Sequence, residues 1–233
     1  MEYSRQEHLL VSQARILYYH SVTTILFPAL ACLMLCLLLW EASDHRRLFA
    51  WAAAVILFTL SRYAMVLKQR RHELNPENAG KWLDIFTVIA MLSGILWGMA
   101  AIILVPYKPD HLIVFTLYNG LAILVICGLV AGAVISYSVS KLALFFYAFP
   151  ALAPPAFYLI SLGDMYNTFL GGFVLLYLLF ITVTSFRLNN QYRYYIDMEY
   201  RLMCLKQEYE VLKTHYTHAN RKIPGRRQPR NVN

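Results

Sequence analysis

The side chains that could do chemistry in this chain are not arranged as catalysis requires. Seven histidines are present, but they form no metal-ligand spacing that is also compatible with the order of the apolar segments. The sequence contains no His-Glu-x-x-His zinc pair, no Gly-x-Ser-x-Gly turn, no phosphate-binding loop and no glycine-rich dinucleotide turn. It therefore predicts a protein that is not an enzyme and that holds neither a metal nor a cofactor.

Two charged residues lie within or beside apolar segments, where a charge is costly and often marks a function. Arg62 lies about four turns into one apolar run, and Asp84 lies near the start of the next run, on the same side of the membrane. The two side chains could form an ion pair across the hairpin. Alternatively, Arg62 extends to the lipid head groups and Asp84 interacts with the N-terminus of its own helix. The sequence leaves both interpretations open, and neither is catalytic.

Polar and aromatic side chains toward the outer half of three apolar runs could line a ligand pocket. The run over residues 142–162 contains three prolines, which bend or loosen a helix and could leave a cavity beside it. Tyrosine and tryptophan are also common at membrane interfaces, so a purely interfacial role is the alternative. The candidate pocket residues are Trp97, Tyr118, Asn119 and Tyr158.

Two glycine pairs lie one helical turn apart, Gly94 with Gly98 and Gly128 with Gly132. Small residues at this spacing let two helix backbones approach closely. Close helix packing is the expected role of both pairs. A cavity beside the small residues is the alternative.

The composition predicts an integral membrane protein, because 59% of the residues are apolar and 15% are charged. Apolar runs of roughly 20 residues suffice to cross a bilayer as helices, since lipid offers no partner for an exposed backbone amide. We expect an all-α polytopic membrane protein with six transmembrane helices. The predicted spans are residues 22–40, 48–67, 82–105, 111–137, 142–162 and 166–186.

The lysine and arginine residues of the loops predict the orientation of the chain. They are concentrated in the loop over residues 68–81 and in the segment after residue 186. With six spans, both termini lie on the same side as these basic segments. We expect a multi-pass protein of the bacterial inner (cytoplasmic) membrane with both termini in the cytoplasm. The net charge of +8 then reflects topology and attraction to membrane lipid, and nucleic acid is not an expected partner.

Four segments follow from this pattern. Residues 1–21 predict an amphipathic helix that lies on the inner membrane surface or packs on the C-terminal helix. Residues 22–186 form the transmembrane domain. Residues 187–218 predict a cytoplasmic coiled-coil helix, and residues 219–233 a basic, disordered tail.

The coiled-coil helix carries apolar residues separated alternately by three and four positions, with charged residues between them. This spacing is typical of the a and d positions of a left-handed coiled coil, and it predicts a homodimer. A helix that folds back along the inner leaflet is the alternative. The predicted seam consists of Leu188, Gln191, Tyr195, Met198, Leu202, Leu205, Tyr209, Leu212 and Tyr216.

Several short motifs, together with a small-residue fourth span and a proline-bearing fifth span, carry a family resemblance. The motifs are Arg62-Tyr63, Lys81-Trp82-x-x-x-Phe86 and Ser93-Gly94-x-x-Trp97-Gly98. Residues 15–222 resemble the six-helix membrane sensor modules that precede bacterial sensor histidine kinases and GGDEF-type diguanylate cyclases. The resemblance implies that the last span continues into a signalling helix, and residues 219–222 resemble the segment before a kinase phosphoacceptor helix.

The chain departs from this family because it carries neither the His-Glu motif of a kinase nor the Gly-Gly-Asp/Glu-Glu-Phe loop of a cyclase. We therefore expect a sensor fragment, or a stand-alone module that acts through a separate cytoplasmic kinase, cyclase or response partner. The predicted cue is membrane-borne or a small lipophilic molecule, and membrane lipid is an expected partner. A small permease or flippase component and a membrane scaffold are the alternative functions.

Overall fold

The computed structural model describes residues 5–20, 23–71, 74–107 and 111–221, and within these ranges the chain is helical and forms no strand. The predicted all-α class is therefore confirmed. The three connections that are described in full, residues 39–44, 138–140 and 162–164, are short turns. In chain order the helices are α1 (Arg5–His20), α2 (Thr23–Leu38), α3 (His45–Arg70), α4 (Pro76–Ile103), α5 (Leu112–Tyr137), α6 (Lys141–Ser161) and α7 (Met165–Arg221).

Five helices, α3 to α7, are long and apolar enough to cross a membrane, so the chain is a multi-pass membrane protein. The first predicted span is the exception. Its helix, α2, has 16 residues and measures about 24 Å at 1.5 Å per residue. This length is below the roughly 30 Å of a hydrocarbon core, so a span at residues 22–40, and with it the total of six, stays a prediction.

Local contacts define the turns that precede α3 and α7. Asp44 caps α3 by accepting a hydrogen bond from the Arg46 backbone N–H at 3.0 Å. Gly163 adopts a φ of 75° in the turn between α6 and α7, a conformation that favours glycine. Directly after it, the Asp164 carboxylate accepts from both the backbone and the side-chain amide of Asn167, at 2.9 and 2.7 Å. These tight turns force antiparallel neighbours.

The packing of α4 against α6 forms the centre of the bundle. A Cβ atom added at Gly94 would overlap the Tyr147 carbonyl oxygen, and one added at Gly98 would overlap that of Pro150. The predicted packing role of this glycine pair is therefore confirmed. The helix α6 continues from Lys141 to Ser161 through its three internal prolines.

The N-terminal helix α1 packs across one end of the bundle, against α4, α5 and α7. Ala14 and Leu17 are fully or almost fully buried. The Tyr18 hydroxyl donates to the Trp82 carbonyl at 3.2 Å, and burial raises the pKa of Tyr18 so that it stays a neutral donor. The sequence predicted that this helix lies on the inner membrane surface or packs on the C-terminal helix. In the structure it packs on α7, and also on α4 and α5 at the end of the bundle.

Candidate functional site

A cavity of 690 Å³ lies between α2 and α5 and is the principal candidate for a binding site. The segment 27–34 of α2 forms one wall, and the segment 125–137 of α5 forms the other. Arg62 of α3 and Tyr147 of α6 complete the lining. Among the lining residues that the structure describes, Arg62 is the one that carries a charge. The cavity is therefore an apolar space with a cation in its wall.

Arg62 is held in this wall by aromatic residues near the end of α5. Its side chain is 7% exposed, and its Nη2 atom donates a hydrogen bond of 2.8 Å to the Tyr137 hydroxyl. The guanidinium carbon also lies 5.9 Å from the centre of the Tyr137 ring. The Tyr137 ring in turn contacts the rings of Phe86 and Tyr147, with centres 5.1 and 5.4 Å apart. These ring contacts fix the direction of the Arg62–Tyr137 bond.

The second glycine pair borders this cavity and does not bring two backbones together. Gly128 and Gly132 both belong to its lining, and a Cβ atom added at either would meet no heavy atom within 4 Å. The two pairs therefore differ, although their spacing is the same. The glycines of α4 permit helix packing, and those of α5 leave open space.

The turn between α5 and α6, residues 138–140, follows Tyr137 directly and is the point where α1 and α7 are attached. The Asn189 side-chain amide of α7 donates to the carbonyls of Ser138 and Val139 at 2.8 and 2.9 Å. Gln13 of α1 donates to the same Val139 carbonyl at 3.1 Å. One further bond, from the Tyr192 hydroxyl to the Ile135 carbonyl at 2.9 Å, ties α7 to the end of α5. Tyr137 is thus one residue from a turn that is hydrogen-bonded to the middle of α7.

From residue 185 onward, two faces of α7 differ in how far their side chains are buried. The face that carries Ser185, Asn189 and Ile196 is buried against the rest of the molecule. The predicted seam lies roughly a third of a turn away from it. Leu188 at its start is half-buried, whereas Gln191 and the later seam residues are exposed. The exposed apolar seam residues are Tyr195, Met198, Leu202, Leu205, Tyr209, Leu212 and Tyr216, with exposures between 43% and 73%.

The four residues of the predicted outer pocket do not line the Arg62 cavity. Trp97 is buried and packs edge to face on Trp51, with ring centres 5.3 Å apart. Asn119 is also buried, and its amide donates to the Ala101 carbonyl at 3.2 Å. Tyr118 borders a different cavity of 650 Å³ beside Trp40.

Tyr158, the fourth residue, is half-buried on α6. Two of the four side chains therefore contribute to helix packing, and Tyr118 alone borders one of the two cavities described here. The predicted outer pocket therefore stays a prediction. The candidate site in the structure is the cavity lined by Arg62, which lies at the opposite end of the bundle.

The predicted pairing of Arg62 with Asp84 also differs from the observed contacts. Arg62 is buried and bonds to the Tyr137 hydroxyl. Asp84 is exposed, eight residues after the start of α4. The sequence singled out Arg62 because a charge in an apolar run is costly. It did not indicate that Tyr137 and Tyr147 lie beside Arg62 or that Gly128 lines the same cavity. Nor did it indicate that Asn189 links α7 to the turn at residues 138–140. Asn189 had one available signal, since it is an uncharged polar residue three positions after the end of a long apolar run.

The arrangement suits binding and conformational transmission. Among the residues that the structure describes, no three His, Cys, Asp or Glu side chains come together as a metal site. The chain matches no protein-family model, no curated protein and no solved structure. The features of the molecule that bear on function are the cavity, the turn at residues 138–140 and α7.

Proposed function

We propose that the protein is a sensory and signal-transducing module of the bacterial inner membrane, with both termini in the cytoplasm. A membrane-borne or lipophilic cue binds in the bundle and changes its packing. The helix α7 carries this change into the cytoplasm. A separate kinase, cyclase or response protein receives it, so the chain itself need not be an enzyme.

The observation that carries this proposal is the continuity of α7. It is one helix of 57 residues, about 86 Å long, with no proline and no glycine after Gly172. Its membrane half packs on α6, and its midpoint is bonded to the turn at residues 138–140. A shift of that turn is therefore transmitted along an unbroken helix.

The exposed seam of α7 supports a homodimer. Apolar side chains at alternating spacings of three and four bury themselves when two parallel copies pair. From Leu202 onward these side chains are exposed in the single chain, whereas the face that carries Ile196 is already occupied. Pairing through the seam thus leaves the contacts of α7 with α1 undisturbed.

Cysteine crosslinking in membranes tests this dimer. Leu202→Cys and Tyr209→Cys occupy successive a positions, so both should give disulfide-linked dimers under mild oxidation. Gln207→Cys, on the opposite side of the heptad, is the matched control and should give several-fold less. The native Cys204 is first replaced by serine, because it lies in the same segment. Equal crosslinking at positions 202, 207 and 209 would contradict parallel pairing through the seam.

The cavity gives one argument for the alternative of a permease or flippase, because transport also requires a site for the transported molecule. A sensor needs only binding, so we expect the reconstituted protein to leave the rate of fluorescent-lipid scrambling in liposomes at the protein-free level. Transport of lipid that is abolished by Arg62→Ala would overturn the sensory proposal. A scaffold function predicts instead that partner recruitment through α7 is insensitive to changes in the cavity.

A further inference from the structure

We propose that the cavity between α2 and α5 binds an uncharged lipophile whose polar end is a hydroxyl or carbonyl oxygen, held by the hydroxyl groups of Tyr147 and Ser136. This inference rests on the proposed sensory function and deepens it. It names the chemical class of the cue and the two side chains that recognise it.

The Tyr147 hydroxyl is a buried polar group that the protein leaves without a hydrogen bond. Among the described residues three tyrosines are buried, and the other two are bonded: the Tyr18 hydroxyl donates to the Trp82 carbonyl at 3.2 Å. The Tyr137 hydroxyl accepts from Arg62 at 2.8 Å. Tyr147 is 4% exposed and lines the cavity, but its hydroxyl has no hydrogen-bond partner in the described part of the chain. Burial of an unbonded hydroxyl is costly, so this group calls for a partner that the cavity can admit.

Ser136 supplies a second unbonded hydroxyl at the same end of the cavity. Hydroxyls within these helices commonly donate to the carbonyl four residues earlier, as Thr59 does to Val55 at 2.7 Å. Ser136 also lines the cavity, yet its hydroxyl makes neither this bond nor another one among the described residues. It directly precedes Tyr137, whose ring centre lies 5.4 Å from that of Tyr147. Ser136 and Tyr147 therefore belong to one end of the lining.

The remainder of the cavity fits a hydrocarbon body. Its 690 Å³ lie within the range of roughly 300 to 1,000 Å³ that is usual for small-molecule sites. The wall formed by α5, residues 125–137, extends over about 18 Å along the helix axis. Away from Ser136 this wall carries small or apolar residues, among them Val125, Gly128 and Leu129. A chain with one oxygen at its end matches this lining.

The cavity is accessible from the side of the bundle. Phe27 and Met34 of α2 belong to its lining and are 61% and 63% exposed, and Ile135 of α5 is 68% exposed. In a membrane these exposed apolar residues contact lipid chains. A lipophile can therefore enter from the bilayer without crossing water.

The two hydroxyls select an oxygen over a plain hydrocarbon end. A hydroxyl both donates and accepts, so it can bond to a carbonyl oxygen or to an alcohol. Lipid chains offer no competing partner to Tyr147 or Ser136, and a hydrocarbon ligand would leave both without a bond. Recognition by two neutral hydroxyls requires no charge on the ligand.

The position of Tyr147 links binding to the proposed output. Its ring packs on that of Tyr137, and Tyr137 precedes the turn to which Asn189 of α7 is bonded. The polar end of the ligand would thus lie two side chains from the attachment of α7. Displacement of the Tyr147 ring by a bound ligand is passed to that turn through Tyr137.

Photocrosslinking tests the proposal on the full chain in phosphatidylcholine nanodiscs. The probes are tetradecanol and tetradecane that carry the same diazirine. We expect the alcohol to label the peptides that contain residues 27–34 and 125–137 about fivefold over the hydrocarbon, a preference that corresponds to one neutral hydrogen bond. Tyr147→Phe and Ser136→Ala should each reduce this ratio, and the double variant should bring it near one. The two probes keep their depths in the bilayer in every variant, so a change in the ratio reports the hydroxyls.

Matched variants separate ligand recognition from misfolding. Tyr147→Phe removes a hydroxyl that bonds to no described residue, so the midpoint of thermal unfolding should stay unchanged. Tyr158→Phe makes the same change on the same helix, outside the cavity lining, and should leave the ratio unchanged. Gly132→Leu puts a side chain into the open space and should reduce labelling by both probes.

Competition distinguishes two sources of the oxygen. Displacement of the alcohol probe by unlabelled tetradecanol alone assigns a single-chain lipophile, and displacement by dioleoylglycerol assigns a glycerolipid; either supports the inference. Equal labelling by alcohol and hydrocarbon in the unmodified protein, or a ratio that the double variant leaves unchanged, would overturn it. Stronger labelling by a diazirine-bearing myristate that persists in the double variant would overturn the uncharged class. These results are independent of the crosslinking at positions 202 and 209, so the ligand class and the dimeric output can fail separately.

Discussion

Replacement of Gly98 by leucine should prevent the bundle from assembling. The side chain would enter the backbone of α6, where a Cβ atom already overlaps the Pro150 carbonyl oxygen and lies 3.2 Å from the Ala151 Cα. Overpacking in a core typically costs about 1 to 3 kcal/mol, and a collision with backbone is at or above the upper end of this range. We expect little monodisperse protein in detergent and a midpoint of thermal unfolding lowered by many degrees.

Gly172→Leu is the control for this change. A Cβ atom at Gly172 meets no heavy atom within 4 Å, so the larger side chain should be accommodated on the surface of α7. Both variants add the same apolar volume and the same helix propensity. If they lowered the unfolding midpoint equally, the close packing of α4 on α6 would not be the cause.

Asn189→Leu should detach α7 from the turn at residues 138–140. Asn189 is 2% exposed, and the substitution removes the two hydrogen bonds that its amide donates to the carbonyls of Ser138 and Val139. The Val139 carbonyl keeps the bond from Gln13, so the loss is concentrated at Ser138. An unsatisfied buried acceptor costs about 1 to 3 kcal/mol. We expect a lower unfolding midpoint and faster hydrogen exchange around residues 138–140 and 185–196.

The neighbouring residue provides the control. Asn190 is exposed, so Asn190→Leu makes the same chemical change without loss of a buried bond. The two variants should also differ in signalling. In the Leu202→Cys background, Asn189→Leu should change the yield of crosslinked dimer, whereas Asn190→Leu should leave it unchanged. An unaltered yield in Asn189→Leu would exclude this contact as the route to α7.

The helices were predictable because lipid leaves the backbone few alternatives. Apolar runs that must satisfy their own amides become helices, and α3 to α7 accordingly coincide closely with the predicted runs. The length of the first helix was less predictable. Hydropathy marks where apolar residues occur but not where a helix ends, and the helix within the run at residues 22–40 has only 16 residues. The continuity of α7 into the seam followed from the lack of proline and glycine after Gly172.

The candidate site was predictable only in part. Arg62 was recognisable because a charge within an apolar run is costly, but its partner Tyr137 is 75 residues away in sequence. Trp97 and Asn119 indicated a pocket, yet the same side chains also fill a core. Trp97 packs on Trp51, and Asn119 bonds to the Ala101 carbonyl. Which function an aromatic or amide side chain serves is decided by the neighbouring helix, which periodicity does not identify.

The two glycine pairs have the same spacing but different surroundings, which the sequence does not reveal. Gly94 and Gly98 contact the backbone of α6, whereas Gly128 and Gly132 face the cavity. The sequence pattern is identical because both functions require the absence of a side chain. Only the helix opposite each pair distinguishes packing from open space.

The contacts of α7 at Ile196 and, with His8 of α1, at Tyr200 also make the exposed segment after Tyr200 a lever arm. From this pivot at Tyr200 to Arg221 the helix extends over about 32 Å, so a tilt of about 5° displaces its far end by about 3 Å. The contacts at the pivot need to change by only a few tenths of an ångström for such a tilt. A bound molecule that alters the bundle very little can therefore displace the far end of α7 by a few ångströms.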